Sequence, residues 1–394
     1  MSGEKHFYMS LLNVVLQLIV VTVYRCQGWT KRMYDYIPSS NLPIFDCTTL
    51  EAQQENYDAI WHSISEHSCC VVRVIDDEAL LAQYANQINE LHELLCQDKS
   101  TPNSARTMGG IVKRFGAGAH PYALEWRLLP IIRSLFATLY DTTSSDMTVS
   151  NDAVCILGED AKRGPWSRNV ETTKADFFRR TGGKLPGHVD VNPIEGTPGS
   201  YIANVLKQHG KYFLQSSLSL LPVPRGGASF VYADMPMSEV YRPTTESLYD
   251  VYNIKAGDYI TLGKKGYDMA HGKWKQVDNI PAGCLVLFCG IHANKLADKT
   301  ASTNRRAAAY ICWLPRTLFG FTQSSWDALK KKKMDSLMNG KTTDHNPINY
   351  KFVGYGGNHY SNGNGRTRVI FGTHENQSRP VYSDDLYERI LEAL

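Results

Sequence analysis

Two histidines and one aspartate are spaced in this chain so that a single metal ion could gather them. His188-Val189-Asp190 follows a glycine-rich run, Gly182-Gly183-Lys184-Leu185-Pro186-Gly187. In an extended segment, side chains at i and i+2 leave the same face, so imidazole and carboxylate can converge on one ion. His292 offers a third ligand. Two histidines and a carboxylate on one face of a metal leave other coordination positions open, the arrangement used by non-haem iron oxygenases. Arg305, with Arg306 beside it, comes one turn and one strand after His292. An arginine there would hold a carboxylate-bearing cosubstrate through a two-pronged charged hydrogen bond. Neighbours on a strand face opposite ways, so only one of the pair, Arg305 or Arg306, can point inward.

A His-x-Asp tripeptide is weak by itself in a chain with 12 histidines. The surroundings of His292 add the weight. Residues 280–292 run Ile-Pro-Ala-Gly-Cys-Leu-Val-Leu-Phe-Cys-Gly-Ile-His, a turn feeding a continuously apolar stretch. That is the signature of a buried strand, with the histidine where it ends. Residues 305–313, Arg-Arg-Ala-Ala-Ala-Tyr-Ile-Cys-Trp, form the next strand candidate. Its three alanines would ordinarily favour a helix, but small residues also leave space inside a narrow barrel. His271 competes as the distal ligand because it too follows a turn and strand, Lys255 to Leu262. It lacks a following arginine, having only Lys273 and Lys275 in a polar stretch, so His292 is preferred.

The elements that must carry these residues are legible in outline. Residues 50–67 and 77–97 read as helices around a strand at Cys69–Ile75, with Asp76-Asp77 supplying the cap of the second. Apolar residues recur at helical spacing from His120 to Tyr140, where Pro130 should introduce a kink. Met147–Leu157 reads as a strand entering a barrel, and Ser324–Asn339 as an outer helix whose Lys330–Lys333 run is a solvated face. Many short strands between Gly/Pro turns from 147 to 316 indicate a mainly β fold with flanking helices, a double-sheet jelly roll of the cupin kind. The expected division is an apolar N-terminal segment (1–40), a helical part packed on the barrel (41–146), the jelly-roll core (147–316) and a C-terminal extension (317–394). Residues 354–365, rich in Gly, Asn, Tyr and Ser, are expected to form a mobile loop.

Taken in order, His188-x-Asp190, Leu214–Leu220 (Leu-Gln-Ser-Ser-Leu-Ser-Leu), Gly226–Tyr232 (Gly-Gly-Ala-Ser-Phe-Val-Tyr), Gly283 through His292, and Arg305 resemble the phytanoyl-CoA dioxygenase family of iron(II)/2-oxoglutarate oxygenases. The ordering covers roughly residues 45–350, with the sharp motifs between 182 and 316. Pro315-Arg316, the Lys330–Lys333 run and Lys341-Thr342-Thr343-Asp344-His345-Asn346-Pro347 resemble a C-terminal extension found in fungal-type members of that superfamily. The resemblance implies iron(II) on His188, Asp190 and His292, with 2-oxoglutarate as cosubstrate, dioxygen as oxidant and ascorbate as a supporting reductant. It further implies that Arg305 pairs with the distal carboxylate of 2-oxoglutarate and that Gln215, on a central inward strand, adds a hydrogen bond. The interval from His292 to Arg305 is longer than the family pattern. Two other classes stay open, a cupin-type metalloenzyme that does not use 2-oxoglutarate and a jelly-roll binding module without catalysis.

With 42 basic and 39 acidic residues the net charge is +3, which gives no global pull toward nucleic acid or membrane. The expected partner is a small-molecule substrate whose identity the residues do not specify. The 9 cysteines are scattered, with neither a zinc spacing nor a secreted disulfide framework, so the reduced cytoplasm is the simpler home. Leu11–Val23 argues the other way: it is apolar enough for a signal core but too short and too interrupted for a comfortable membrane span. A signal or anchor at 9–28 would direct the chain to the endoplasmic reticulum or the secretory route.

Overall fold

The computed structural model describes residues 37–97, 111–112, 117–159, 187–192, 200–241, 252–253, 260–295, 297–298, 300–340, 345–348 and 382–394. The apolar segment at 9–28, most of the glycine-rich run before His188, and the loop expected at 354–365 lie outside these residues. No described helix is long and apolar enough to cross a membrane.

In chain order the strands are β1 (Ile44–Asp46), β2 (Cys69–Arg73), β3 (Ile111–Val112), β4 (Met147–Val149), β5 (Val154–Leu157), β6 (His188–Val189), β7 (Gln215–Ser219), β8 (Ser229–Ala233), β9 (Tyr252–Asn253), β10 (Ile260–Leu262), β11 (Trp274–Val277), β12 (Cys284–Phe288), β13 (His292–Lys295), β14 (Arg306–Ile311) and β15 (Trp313–Pro315). They build a jelly roll of two facing sheets, ordered β1-β2-β12-β7-β14-β5-β3 and β11-β8-β13-β6-β10-β9, with β15 and β4 paired separately. Every pairing is antiparallel except the parallel β1/β2 pair at the edge. The segment expected as one strand at 147–157 is therefore two, β4 and β5, which serve different sheets. The large sheet also extends through β1–β3, upstream of the stretch in which most strands were expected.

Helices clothe the outer face of the large sheet. These are α1 (Leu50–Glu55), α2 (Tyr57–His67), α3 (Glu78–Gln97), α4 (Pro121–Arg127) and α5 (Pro130–Leu139). Thr49 caps α1 by accepting from the Ala52 N–H, and Asp77 Oδ1 accepts the N–H groups of Ala79 and Leu80 at the head of α3. Pro130 does not kink a long helix. It opens α5, where its missing N–H costs nothing, and α4 stops at Arg127. Short helices α6 (Tyr201–Gln208), α7 (Met237–Val240) and α8 (Lys264–Met269) lie in the connections, and α9 (Gln323–Met338) and α10 (Asp384–Ala393) follow the barrel. In α9, Lys331 and Lys332 are exposed as expected, but Lys333 is fully buried and donates to Thr148 Oγ1 at 2.5 Å. The lysine run is thus a solvated face at one end only, because every third or fourth position of a docked helix turns inward.

Alternation along the strands divides the apolar residues into two cores. Cys70, Val72, Leu218, Leu285, Leu287, Ala307, Ala309 and Ile311 face the helices and join Ile60, Trp126, Ile132 and Phe136. Cys69, Val71, Cys284, Val286 and Phe288 point the other way, meeting Phe230, Tyr232, Val277 and Ile280 from the small sheet. The rings of Phe230 and Phe288 lie 4.4 Å apart across that interface. Each large side chain buried this way is worth about 1.5–3 kcal/mol, so this seam clamps the two sheets together.

Candidate metal centre

The small sheet brings the two histidines side by side. β13 pairs with β6 so that His292 lies directly opposite His188, and β8 places Tyr232 opposite His292 on its other side. Opposed residues in an antiparallel pair share a face, here the inner one. Gly187 allows β6 to pass so close to its neighbours, since a Cβ at this position would lie 2.8 Å from a Leu262 methyl and 2.9 Å from the Trp274 ring. Asp190, one residue beyond the strand, turns its carboxylate back toward both rings. Its Oδ2 is 3.1 Å from His292 Nε2 and its Oδ1 is 3.7 Å from His188 Nε2. One ligand atom from each of the three residues lies within 4.8 Å of the others.

The environment prepares the donors. His292 is buried, with its ring 4.6 Å from Phe288 and stacked 5.3 Å from Phe230. Its Nδ1–H donates to the Gly290 carbonyl at 3.0 Å, which orients the ring with Nε2 toward Asp190. Burial alone would push the Asp190 carboxyl up. The nearby His345, His292 and His188 rings and a hydrogen bond from His292 reverse this and hold it well below the usual carboxylate range. An anionic carboxylate between two imidazole nitrogens suits a divalent cation, and the donor set fits iron(II). His271, the competing ligand, is exposed in the turn after α8 and takes no part in the cluster.

The arginine pair is resolved in the opposite sense to the expectation. β14 begins at Arg306, and Arg305 lies just outside it, half-buried, with Nη2 donating to Asn89 Oδ1 of α3 at 2.5 Å. Arg306 is the buried member and points between the sheets, where Nη1 reaches Asn294 Oδ1 at 3.1 Å and the Ser229 carbonyl at 3.4 Å. The register follows from packing: Ala307, Ala309 and Ile311 belong to the core under the helices, which leaves Arg306, Ala308 and Tyr310 on the inner face. Tyr310 donates its hydroxyl to the same Asn294 oxygen at 3.3 Å, and burial pushes its pKa up, so it remains a donor. Burial would lower the Arg306 pKa, but its neighbours Cys155 and Tyr310 more than offset that, and the guanidinium is charged.

Gln215 is on β7 opposite Phe288, buried and on the inner face, as expected for an inward strand. Ser217 pairs with Val286 on one side and Tyr310 on the other, and Ser219 with Ala308, so both hydroxyls share that face. These serines, Asn294 and Tyr310 escaped the sequence reading, although the alternation of Gln215-Ser216-Ser217-Leu218-Ser219 carried the signal. The further histidine at Asp190, His345, was visible only as part of the C-terminal motif.

No family model matches the chain, and no curated protein matches it. Among solved structures, the hypothetical protein JW0805 of Escherichia coli is 11% identical, with a TM-score of 0.50 over 89% of this chain and 87% of its own. GlcNAc Inducible Gene 2, GIG2 (DUF1479), of Candida albicans is 12% identical, with a TM-score of 0.50 over 93% of this chain and 87% of its own. At such identities the likeness is one of fold. The epimerase SnoN, in complex with Fe3+, alpha ketoglutarate and nogalamycin RO, is 14% identical with a TM-score of 0.38 over 69% of this chain and 88% of its own. That overlap is too slight to carry an argument about chemistry.

Proposed function

We propose that this protein is an iron(II)- and 2-oxoglutarate-dependent oxygenase that hydroxylates a small organic substrate, as its sequence resemblance to the phytanoyl-CoA dioxygenases implies. The observation that carries this reading is that the cluster of His188, Asp190 and His292 on the small sheet shares the space between the sheets with the buried guanidinium of Arg306, which reaches across from the large sheet to Asn294. Asn294, which Arg306 touches, is two residues beyond His292 on β13, a rise of about 6–7 Å. An interval of that length would suit a five-carbon diacid, with one end toward the three ligands and the other toward the arginine.

With iron(II), 2-oxoglutarate and dioxygen bound, the cofactor set supplies the power to oxidise an unreactive C–H bond, with succinate and carbon dioxide as by-products. The chain supplies position and charge. His188, Asp190 and His292 would hold the ion, with Asp190 neutralising part of its charge. Arg306 would bind the distal carboxylate of the cosubstrate and Tyr310 would hold Asn294 in place beneath it, while Gln215, Ser217 and Ser219 offer hydrogen bonds along the wall between. Phe230 and Phe288 seal the floor against water. Arg305, half-buried and bonded to Asn89 outside the barrel, is replaced by Arg306 in this assignment.

Release of succinate from 2-oxoglutarate, measured with iron(II) and ascorbate and abolished in Asp190→Ala, tests the proposal. Tight iron binding without succinate release would favour a cupin-type metalloenzyme that takes no 2-oxoglutarate. Failure to bind any divalent metal would leave a binding module.

A further inference from the structure

The C-terminal extension returns to the metal centre. Beyond α9, residues 345–348 lie against the barrel, with Asn346 and Ile348 buried and the Ile348 N–H bonded to Asn346 Oδ1 at 3.0 Å. From this segment His345 Nε2 donates to the backbone carbonyl of Asp190 at 3.0 Å, a contact between residues 155 apart in sequence. The His345 ring also lies 6.1 Å from the buried Phe213, two residues before β7.

Asp190 is the ligand that most needs such a contact. His292 sits in a strand paired on both sides, and His188 is paired with both His292 and Thr261. The β6 ladder ends at Val189, so Asp190 occupies a bend. A small rotation of its peptide would swing the carboxylate away from the imidazoles, and a ligand free to swing binds metal more weakly than one held in place. We propose that His345 is a positioning residue, whose Nε2–H···O=C bond to Asp190 fixes the peptide carrying the only anionic ligand of the centre. Phe213 limits the tilt of the ring that delivers this bond. The inference rests on the metal-centre reading above, and it gives the extension after the barrel a part in building the site.

Cobalt(II) titration of the full chain, followed by affinity and by the d–d absorption of the bound ion, tests it without turnover. His345→Phe keeps a ring beside Phe213 but has no N–H, whereas His345→Gln keeps a donor. The expected result is that His345→Phe weakens cobalt binding by about tenfold or more and changes the d–d band, while His345→Gln stays within about threefold of wild type. Should His345→Phe fail to fold, His345→Ala serves the same comparison. Wild-type affinity and spectrum in the donor-less variant would overturn the proposal, as would equal weakening in the glutamine variant. If wild type binds no cobalt, the metal centre itself is refuted. If binding is lost in Asp190→Ala yet unchanged in His345→Phe, only the role of His345 is refuted.

Discussion

Replacing each arginine of the pair by lysine separates the two orientations. Arg306 engages Asn294 and Ser229 through Nη1, and in the proposed assignment its guanidinium would also receive the cosubstrate carboxylate as a fork. Lysine keeps the charge but has a single ammonium, which can stay with Asn294 or turn to the carboxylate. One charged hydrogen bond is lost in either case, about 1.5–3 kcal/mol, or roughly ten- to a hundredfold in 2-oxoglutarate affinity. Arg305→Lys breaks only a contact to Asn89 at the protein surface, which costs at most about 1 kcal/mol of stability and nothing in cosubstrate binding. Calorimetric titration of 2-oxoglutarate into each cobalt-loaded variant reads the difference. Cobalt affinity should be unchanged in both, since neither arginine is a ligand, and excess 2-oxoglutarate should restore turnover in Arg306→Lys. A defect carried by Arg305→Lys, or two silent variants, would refute the assignment of the cosubstrate pocket to the inner face of β14.

Asp190→Ala should abolish stoichiometric iron binding while leaving the thermal transition nearly unchanged, whereas His271→Ala should bind one iron per chain like wild type. Metal analysis after desalting distinguishes them, and retained iron in Asp190→Ala would undo the triad. Ala308 lies on the inner face between Arg306 and Tyr310, so Ala308→Leu should fill the proposed pocket and raise the apparent KM for 2-oxoglutarate about tenfold or more with iron affinity intact. Burial, with Lys330 and Arg316 nearby, lowers the Lys333 pKa from 10.5 to about 7. Between those values the unfolded chain holds a proton that the folded chain has released, so stability should rise with pH by up to about 1.4 kcal/mol per unit from this group. Urea denaturation at successive pH values should show this slope in wild type and its loss in Lys333→Met; parallel slopes would mean that Lys333 folds in its charged form.

The triad was legible in the sequence because its chemistry is local in pattern: a period of 2 sets His188 and Asp190 on one face, and an apolar run with a proline and glycine before it marks β12, although His292 opens the next strand, β13, in the facing sheet rather than ending that run. The orientation of the arginines was not legible from the first of the pair alone. Both faces of β14 are buried, so alternation between polar and apolar residues is blurred, as in any strand covered on both sides. The better signal lay further along, where Ala307, Ala309 and Ile311 form a uniformly apolar set and Arg306 and Tyr310 carry the polar atoms. The helical spacing of apolar residues continues on both sides of Pro130 and so suggests one kinked helix, and only the packed structure shows α4 ending before it. Lys333 was hidden in a run of identical residues, where composition says solvent and only the helical period says which member is buried. The contact from His345 to Asp190 has no local signature, since it depends on where a chain 155 residues downstream comes to rest.

The inner space of the barrel is divided crosswise, and the division explains how the chain reconciles stability with a polar site. On one side, β2 and β12 face β8 and β11 with Val71, Val286, Phe288, Phe230 and Val277, the seam that holds the sheets together. On the other, β7 and β14 face β6 and β13 with Gln215, Ser217, Arg306, Tyr310, His188, His292 and Asn294. Burying so many polar groups is costly unless each finds a partner, and a bound cation with an anionic cosubstrate would satisfy both the carboxylate and the guanidinium. Phe288 and Phe230 stand at the border, holding the sheets on one side and packing against His292 on the other. Truncating either ring should therefore cost stability and loosen the metal together, whereas changes at Arg306 or Ala308 should spare the metal. The same apolar seam that folds the barrel fixes the distal histidine.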